Sequence, residues 1–113
     1  QGTMQLAFSP DGQSLVGWGY AGARVWDVAS GKERPSPKAF QDGLSALAVS
    51  PDGKRLAACD RTGKIICWNA ATGVELQRIQ LPGIASGLSF APDGRHLATS
   101  NSNGTLYILR LPS

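Results

Sequence analysis

Three aspartates recur at equal spacing: Asp11, Asp52 and Asp93 lie 41 residues apart, each inside a Pro-Asp-Gly triplet. Carboxylates set side by side can move protons or hold a metal. The triplet argues for another role. Proline fixes φ, and Asp followed by Gly takes the backbone angles of a tight turn. One carboxylate per repeat, at the same corner of each unit, is not expected to converge. Gly17-Trp18-Gly19-Tyr20-Ala21-Gly22 matches the dinucleotide fingerprint G-x-G-x-x-G. That loop cradles a pyrophosphate only where a helix begins after it. Here Arg24-Val25-Trp26-Asp27-Val28 follows, which reads as a strand. His96 is the only histidine and lacks a companion His or Cys at ligand spacing. It aligns with Ser14 and Arg55 and is expected at an exposed place beside a turn. Cys59 and Cys67 fall on adjacent strands of one predicted hairpin, opposite or one step off. A cross-strand disulfide is open to them; two small buried thiols are the expected state. Free thiols fit a reducing compartment, which points to the cytoplasm. There is no G-x-S-x-G elbow and no Cys–His arrangement for nucleophilic catalysis. Asn103-Gly104-Thr105 satisfies the glycosylation sequon, which matters only along a eukaryotic secretory route. No catalytic residue, metal or cofactor is assigned.

The elements around these residues repeat with them. Leu15, Leu56 and Leu97 keep the 41-residue step, as do Gly22, Gly63 and Gly104. Ser9 and Ser50 match Ala91. Trp26 and Trp68 are 42 apart, and Leu109 follows 41 later. A fixed period with a local slip marks a repeat architecture. Each repeat resolves into short strands. First strands are predicted over Met4–Ser9, Leu44–Ser50 and Ala85–Phe90. Second strands follow the Pro-Asp-Gly turns at Ser14–Gly19, Arg55–Asp60 and His96–Ser100. Third strands follow the Gly turns at Ala23–Val28, Lys64–Ala70 and Thr105–Leu111. A fourth strand is predicted at Val74–Gln80; Glu33–Phe40, with Pro35 and Pro37, reads as irregular or an edge strand. No segment sustains a 3.6-residue period, so almost no helix is expected. Ile65-Ile66-Cys67-Trp68 is apolar on both sides of the pleat, which implies a sheet buried on both faces.

Composition excludes several classes. The chain has 113 residues, 42% hydrophobic and 17% charged, so it is one globular domain and neither disordered nor a solvating tail. No apolar run approaches the roughly 18 residues of a membrane span. The net charge of +3 comes from scattered Lys and Arg, which is no nucleic-acid footprint. Two cysteines exclude a disulfide scaffold and a four-cysteine zinc site. Residue 1 is Gln, and the chain is expected to be cut from something longer.

Ser-Pro-Asp-Gly, a strand of small residues, a Gly turn and then Trp26-Asp27 or Trp68-Asn69 resemble the WD-repeat β-propeller family. The resemblance covers essentially the whole chain. It implies an all-β fold: a partial propeller of three antiparallel blades over residues 1–113. The repeats run approximately 1–41, 42–82 and 83–113, and the last blade lacks its outer strand. Asp11, Gly12, Trp26, Asp27, Asp52, Gly53, Trp68, Asp93 and Gly94 are then structural repeat residues. Trp26 and Trp68 are expected to be buried between blades. The third repeat ends in Leu109-Arg110-Leu111 without a Trp-Asp pair. The family's Gly-His pair is absent, Phe40 standing at its His position. The family's turn Asp is Ala21, Thr62 and Asn103 here, so its buried His–Asp–Ser–Trp network is not expected. These repeats are similar to the degenerate ones common in bacterial propellers, held mainly by packing.

The resemblance implies a rigid scaffold whose loops bind partner proteins or peptides, with no enzymatic activity, nucleic acid or membrane. The expected contact loops are Gly19–Gly22, Asp60–Gly63, Asn101–Gly104, Gln41–Gly43 and Pro82–Ile84. Trp18 stands out because its equivalents, Cys59 and Ser100, are small. Trp18, Tyr20, Arg61 and Asn101 are the candidate binding residues, since aromatic and Arg side chains on a rigid turn surface are common anchors. A second reading makes the chain a sensor or regulatory segment of a multidomain bacterial enzyme, such as a protein kinase, with catalytic residues elsewhere. A third, a lactonase-like propeller enzyme, would need His, Asp, Glu or Asn clustered round a central metal. Three blades do not close a ring, which needs about four to eight. The chain therefore looks like the C-terminal part of a larger propeller, and in isolation it is expected to self-associate.

Overall fold

The computed structural model describes residues 4–19, 22–35 and 43–111. Among these are eleven strands and no helix, arranged in three antiparallel sheets. The first holds β1 (Met4–Phe8), β2 (Ser14–Gly19), β3 (Gly22–Asp27) and β4 (Glu33–Arg34). The second holds β5 (Leu44–Val49), β6 (Arg55–Asp60), β7 (Lys64–Asn69) and β8 (Glu75–Gln80). The third holds β9 (Ala85–Phe90), β10 (His96–Asn101) and β11 (Leu106–Arg110), which is left as an edge. Within each sheet the strands lie side by side in chain order, so every connection is local.

The Pro-Asp-Gly triplets make the same turn three times. The N–H groups of Gly12, Gly53 and Gly94 donate to the carbonyls of Ser9, Ser50 and Ala91, each at 2.9 Å. Those glycines sit at φ of 73°, 74° and 68°, where a side chain is disfavoured. The fourth strand of the first sheet shrinks to two residues. Pro35 has no N–H to extend the ladder with β3, and that ends the pairing. The rest of the segment predicted as Glu33–Phe40 lies outside the described residues.

The sheets stack face to face, with an apolar layer in each gap. Val16 and Val25 of the first sheet meet Leu56, Ala58, Ile66 and Trp68 of the second. Ala57, Cys59, Ile65 and Cys67 meet Ala85 and Leu97 of the third, with Leu88 and Phe90 packed alongside. Alternate residues of β6 and β7 thus serve two different cores. This is why their sequences are apolar throughout rather than alternating.

Two expectations need correction. Trp68 is fully buried, but Trp26 is only half-buried. Trp26 points away from the second sheet, onto the side of the first sheet that no other sheet covers among the described residues, and Arg24 lies over its ring at 5.5 Å. The cysteines are also not opposite each other. Cys59 pairs with Ile65 and Cys67 with Ala57, so the thiols share a face but sit diagonally. Such diagonal neighbours are roughly 7 Å apart, beyond the span of a disulfide. Both are free and buried, and burial raises both thiol pKa values.

Candidate functional site

Antiparallel order sorts the loops to two ends of the stack. The turns between first and second strands share one end with the turns between third and fourth strands. The turns between second and third strands share the other end with the connections from one sheet to the next.

At the first end, the Pro-Asp-Gly carboxylates work within their own turns. Ser9 Oγ donates to Asp11, and Ser50 Oγ donates to Asp52 at 2.7 Å. Each hydroxyl also accepts the N–H that opens the next strand, Ser14 and Arg55, at 3.0 Å. The serine hydroxyls, and then the N–H groups of Gln13 and Lys54, hold the Asp11 and Asp52 carboxyls below the usual range. In the third turn Ala91 has no hydroxyl. The Arg95 N–H donates to Asp93 as in the other turns, the His96 ring stands in for the hydroxyl with Nδ1 2.9 Å from Asp93 Oδ2, and these two hold the Asp93 carboxyl low as well. His96 is thus half-exposed beside a turn, as read from the sequence.

These aspartates stand closer together than their separate blades suggested. Asp11 and Asp52 line one cleft of about 340 Å³, with Arg34 and Lys54. Asp52 and Asp93 line a second of about 190 Å³, with Arg55 and Arg95. β5 packs directly on β9, and β2 on β5, which brings the turns of neighbouring sheets alongside one another. A Cβ on Gly53 would lie 2.6 Å from the Asp11 carboxylate of the adjacent blade. Among the described residues, no three His, Cys, Asp or Glu come together as a metal-binding group.

The Trp-Asp and Trp-Asn pairs end the third strands at this same end. Asp27 accepts the Ser30 N–H and takes Arg34 at 2.6 Å, which anchors the short β4. Asn69 accepts the N–H groups of Ala71 and Thr72. Both turns need only a side-chain oxygen placed to accept N–H groups two or three residues on, so Asp and Asn serve alike.

The other end carries the predicted contact loops. Trp18, at the end of β2, is half-buried and packs against the core between the first two sheets. Its cross-strand partner is Ala23, whereas Cys59 faces Ile65 and Ser100 faces Leu106. One large and one small side chain fill each pair, and only which strand carries the large one changes. Tyr20 lies outside the described residues, as does Gln41. Arg61 stands exposed at the tip of its turn, and its guanidinium makes no ion pair among the described residues. Asn101 is tied down: it accepts from Thr99 Oγ1 and donates to Thr105 Oγ1, both at 3.0 Å.

Sequence reasoning missed Asp60. Its side chain is completely buried, and Oδ1 accepts the N–H groups of Thr62 and Lys64 and the Thr62 hydroxyl. Lys64 Nζ lies 3.8 Å away. The carboxylate missing from position 62 is replaced by one placed two residues earlier. The available signal was a charged residue closing the apolar run Leu56-Ala57-Ala58-Cys59, aligned with Gly19 and Asn101. The linker from β8 to β9 is strapped over this turn. Leu81 N–H donates to Gly63 O, Gln80 Nε2 to Thr62 O, and Ser102 N–H of the third blade to Ile84 O. A side chain at residue 63 would strike the Gly83 carbonyl at 2.6 Å, so glycine is required there.

Stacked antiparallel four-stranded sheets with local connections define blades of a β-propeller. The chain belongs to the WD-repeat family: the family described as "WD domain, G-beta repeat" matches residues 34–69 and 80–109, more than half of the chain. The first match begins in β4 of one blade and ends with β7 of the next. The family unit therefore straddles two blades and ties them together. The β-propeller domain of Cps50 (Swd1) from Myceliophteria thermophila is similar in fold, with a TM-score of 0.86 at 15% identity, over 98% of this chain and 36% of that one. Mouse transducin-like enhancer protein 2 is 35% identical over 63% of this chain and 10% of its own length. Periodic tryptophan protein 2 of Arabidopsis thaliana is 34% identical over 66% and 8%. Human coronin-7 is 35% identical over 46% and 6%. The chain spans no more than a tenth of the length of these curated relatives.

Proposed function

We propose that the chain is a protein-interaction scaffold that binds partner proteins or peptides at the end formed by the Asp60–Gly63 and Asn101–Gly104 turns and the Pro82–Ile84 linker. It performs no chemistry of its own. The observation that carries this reading is Arg61: an exposed guanidinium with no ion pair among the described residues, on a turn pinned from below by the buried Asp60 and from the side by the linker. A cation carried on a pre-ordered turn offers an anchor to a partner carboxylate or aromatic ring, with only its own side chain left to order on binding. Trp18 on the adjacent blade, with Tyr20 two residues further along the chain, is assigned the aromatic contacts, and Asn101 holds the rim of the third blade. WD-repeat membership supports the same role, since such domains are generally scaffolds. The test is panning a random-peptide display library on the intact chain, then measuring the enriched peptides against variants. Combined alanines at Trp18, Tyr20 and Arg61 should weaken them at least tenfold, while Asp52→Asn leaves them unchanged. Peptides indifferent to the triple variant would place binding elsewhere.

A further inference from the structure

We propose that Asn103 is a site of self-modification: the turn that carries it promotes attack of the Gly104 backbone nitrogen on the Asn103 side-chain amide, which converts the residue to aspartate with loss of ammonia.

Asn103-Gly104 is the one Asn-Gly pair in the chain. It lies at the tip of the β10–β11 hairpin, with Gly104 at φ of 86°. Glycine has no side chain to hinder its own nitrogen. Asn103 is exposed, and so is Thr62 at the same place in the second blade, although the linker crosses that turn. Access of water to this position is thus a property of the hairpin. Gly104 N–H donates to Asn101 O at 3.0 Å and must release it first, and hydrogen bonds at exposed tips open at low cost.

The side-chain amide is held ready for attack. Asn103 Oδ1 accepts the Thr105 hydroxyl at 2.5 Å and the Thr105 N–H at 3.1 Å. Negative charge develops on this oxygen when its carbon is attacked, and two donors are already aimed at it. The hydroxyl is itself aimed from inside the blade. Fully buried Thr99 donates to Asn101 Oδ1, which turns the Asn101 NH₂ toward Thr105 Oγ1 at 3.0 Å. With its oxygen so engaged, the Thr105 hydroxyl gives its proton to Asn103.

Hydroxide from solvent removes the Gly104 amide proton, and the nitrogen bonds to Asn103 Cγ. The Cγ–Nδ2 bond breaks, and ammonia leaves with a proton from water. The cyclic imide then adds water. Opening at Cγ gives aspartate, and opening at the main-chain carbonyl gives isoaspartate; nothing is oxidised or reduced. Aspartate keeps both Thr105 donors, now charge-assisted. Its regular main chain also keeps Gly104 N–H on Asn101 O and Asn101 N–H on Thr105 O. Related pairs in the described turns lack part of this arrangement. Asp11, Asp52 and Asp93 precede glycine, but their carboxyls are held ionised and resist attack. Asn69 and Asn101 precede Ala70 and Ser102, whose side chains crowd the nitrogen. Conversion places a carboxylate on the same end of the stack as Arg61.

The test incubates the folded chain in mildly alkaline buffer, beside the same chain in guanidinium chloride at the same pH. Proteolytic peptides are then followed by mass spectrometry. Exchange of NH for O should appear at Asn103 and run faster in the folded chain than in the denatured one. Thr105→Val keeps the N–H and loses the hydroxyl, so it should slow conversion about fivefold or more, while Thr105→Ser stays near the native rate. Should Thr105→Val fail to fold, Asn101→Ala takes its place; it leaves the hydroxyl unaimed and should slow conversion about twofold. Slower conversion in the folded chain, a Thr105→Val rate at or above the native one, or Asn101 converting ahead of Asn103 would each overturn the proposal.

Discussion

Trp26 and Trp68 occupy the same strand position in successive blades, yet one is half-exposed and the other completely buried. Their own strands treat them alike. Each lies opposite the repeat's leucine, Leu15 for Trp26 and Leu56 for Trp68. The difference comes from outside the blade: Trp68 has the first sheet against it, whereas among the described residues no neighbouring sheet packs on Trp26. In a stacked repeat, burial belongs to the gap between units rather than to the residue, so identical positions differ in energy by their place in the stack.

The largest effect should come from widening that contrast. Trp68→Ala removes a large indole from a closed apolar layer and is expected to cost about 3–5 kcal/mol. Trp26→Ala should cost less, about 1–2 kcal/mol, because Trp26 is only part-buried and no neighbouring sheet among the described residues closes over it. Urea unfolding of both variants checks the pair. Equal losses at high dilution would mean that the open face of the first blade is covered by something within the chain.

Next in size is the buried turn of the second blade. Asp60→Ala strands two backbone N–H groups and a hydroxyl and leaves Lys64 beside an apolar gap. The expected loss is about 3 kcal/mol, the range for breaking a buried, charge-assisted set. The corresponding change in the third blade, Asn101→Ala, loses only two hydroxyl contacts at a partly exposed rim and should cost about 1 kcal/mol. Chemical denaturation of the two variants, compared at neutral pH, measures the difference.

The first-end aspartates sharpen the contrast by pH. Asp11, Asp52 and Asp93 all have folded-state pKa values depressed below the ordinary 3.8. A depressed carboxylate stabilises the fold fully above its unfolded pKa. That contribution is lost as pH falls below 3.8 and through the lowered folded value. Stability should therefore be flat in this contribution from pH 7 to about 5 and fall steeply in stronger acid. Asp52→Asn keeps the turn, since Asn tolerates the same angles, but gives up the ionised carboxylate's contribution, so it should lower stability slightly at neutral pH and make the acid limb shallower. Thermal melts from pH 2.5 to 7 read both slopes.

What the sequence made legible was whatever the period repeats. Turn chemistry at Pro-Asp-Gly and at Gly22, Gly63 and Gly104 brackets the strands, so strand order follows from spacing alone. Apolar runs on both sides of the pleat announced a middle sheet with two neighbours. What escaped was whatever depends on a cross-strand or cross-blade partner. Trp18 looked anomalous when compared along the repeat with Cys59 and Ser100. Only the register, which sets it against Ala23, reveals that each pair puts one large side chain against one small one. Trp26 looked buried because Trp68 had to be. Asp60 went unnoticed because its role is filled two residues away from the position the family uses, where no column comparison would look.

The smallest prediction uses the one turn that departs from the other two. In the first and second turns a serine hydroxyl bridges the aspartate to the N–H opening the next strand. Ala91 leaves that bridge out, while the backbone of the third turn is unchanged: Gly94 N–H still reaches Ala91 O, and Ala91 N–H still reaches His96 O. The space for a hydroxyl is set by that backbone, so Ala91→Ser should insert without strain. It would donate to Asp93, which is already ionised and acceptor-rich, and accept the His96 N–H. The His96 ring, half-exposed, can turn outward to make room. The expected gain is about 0.5–1 kcal/mol, the net worth of one partly exposed hydrogen bond. Ser50→Ala in the second turn should lose about the same amount or slightly more, since Ser50 is buried and its removal leaves the Arg55 N–H short of a partner. Melting temperatures a few degrees up for Ala91→Ser and a few degrees down for Ser50→Ala would make the two turns interchangeable. A fall for Ala91→Ser would mean that the His96–Asp93 contact is the better closure for this blade and that the third turn has its own solution.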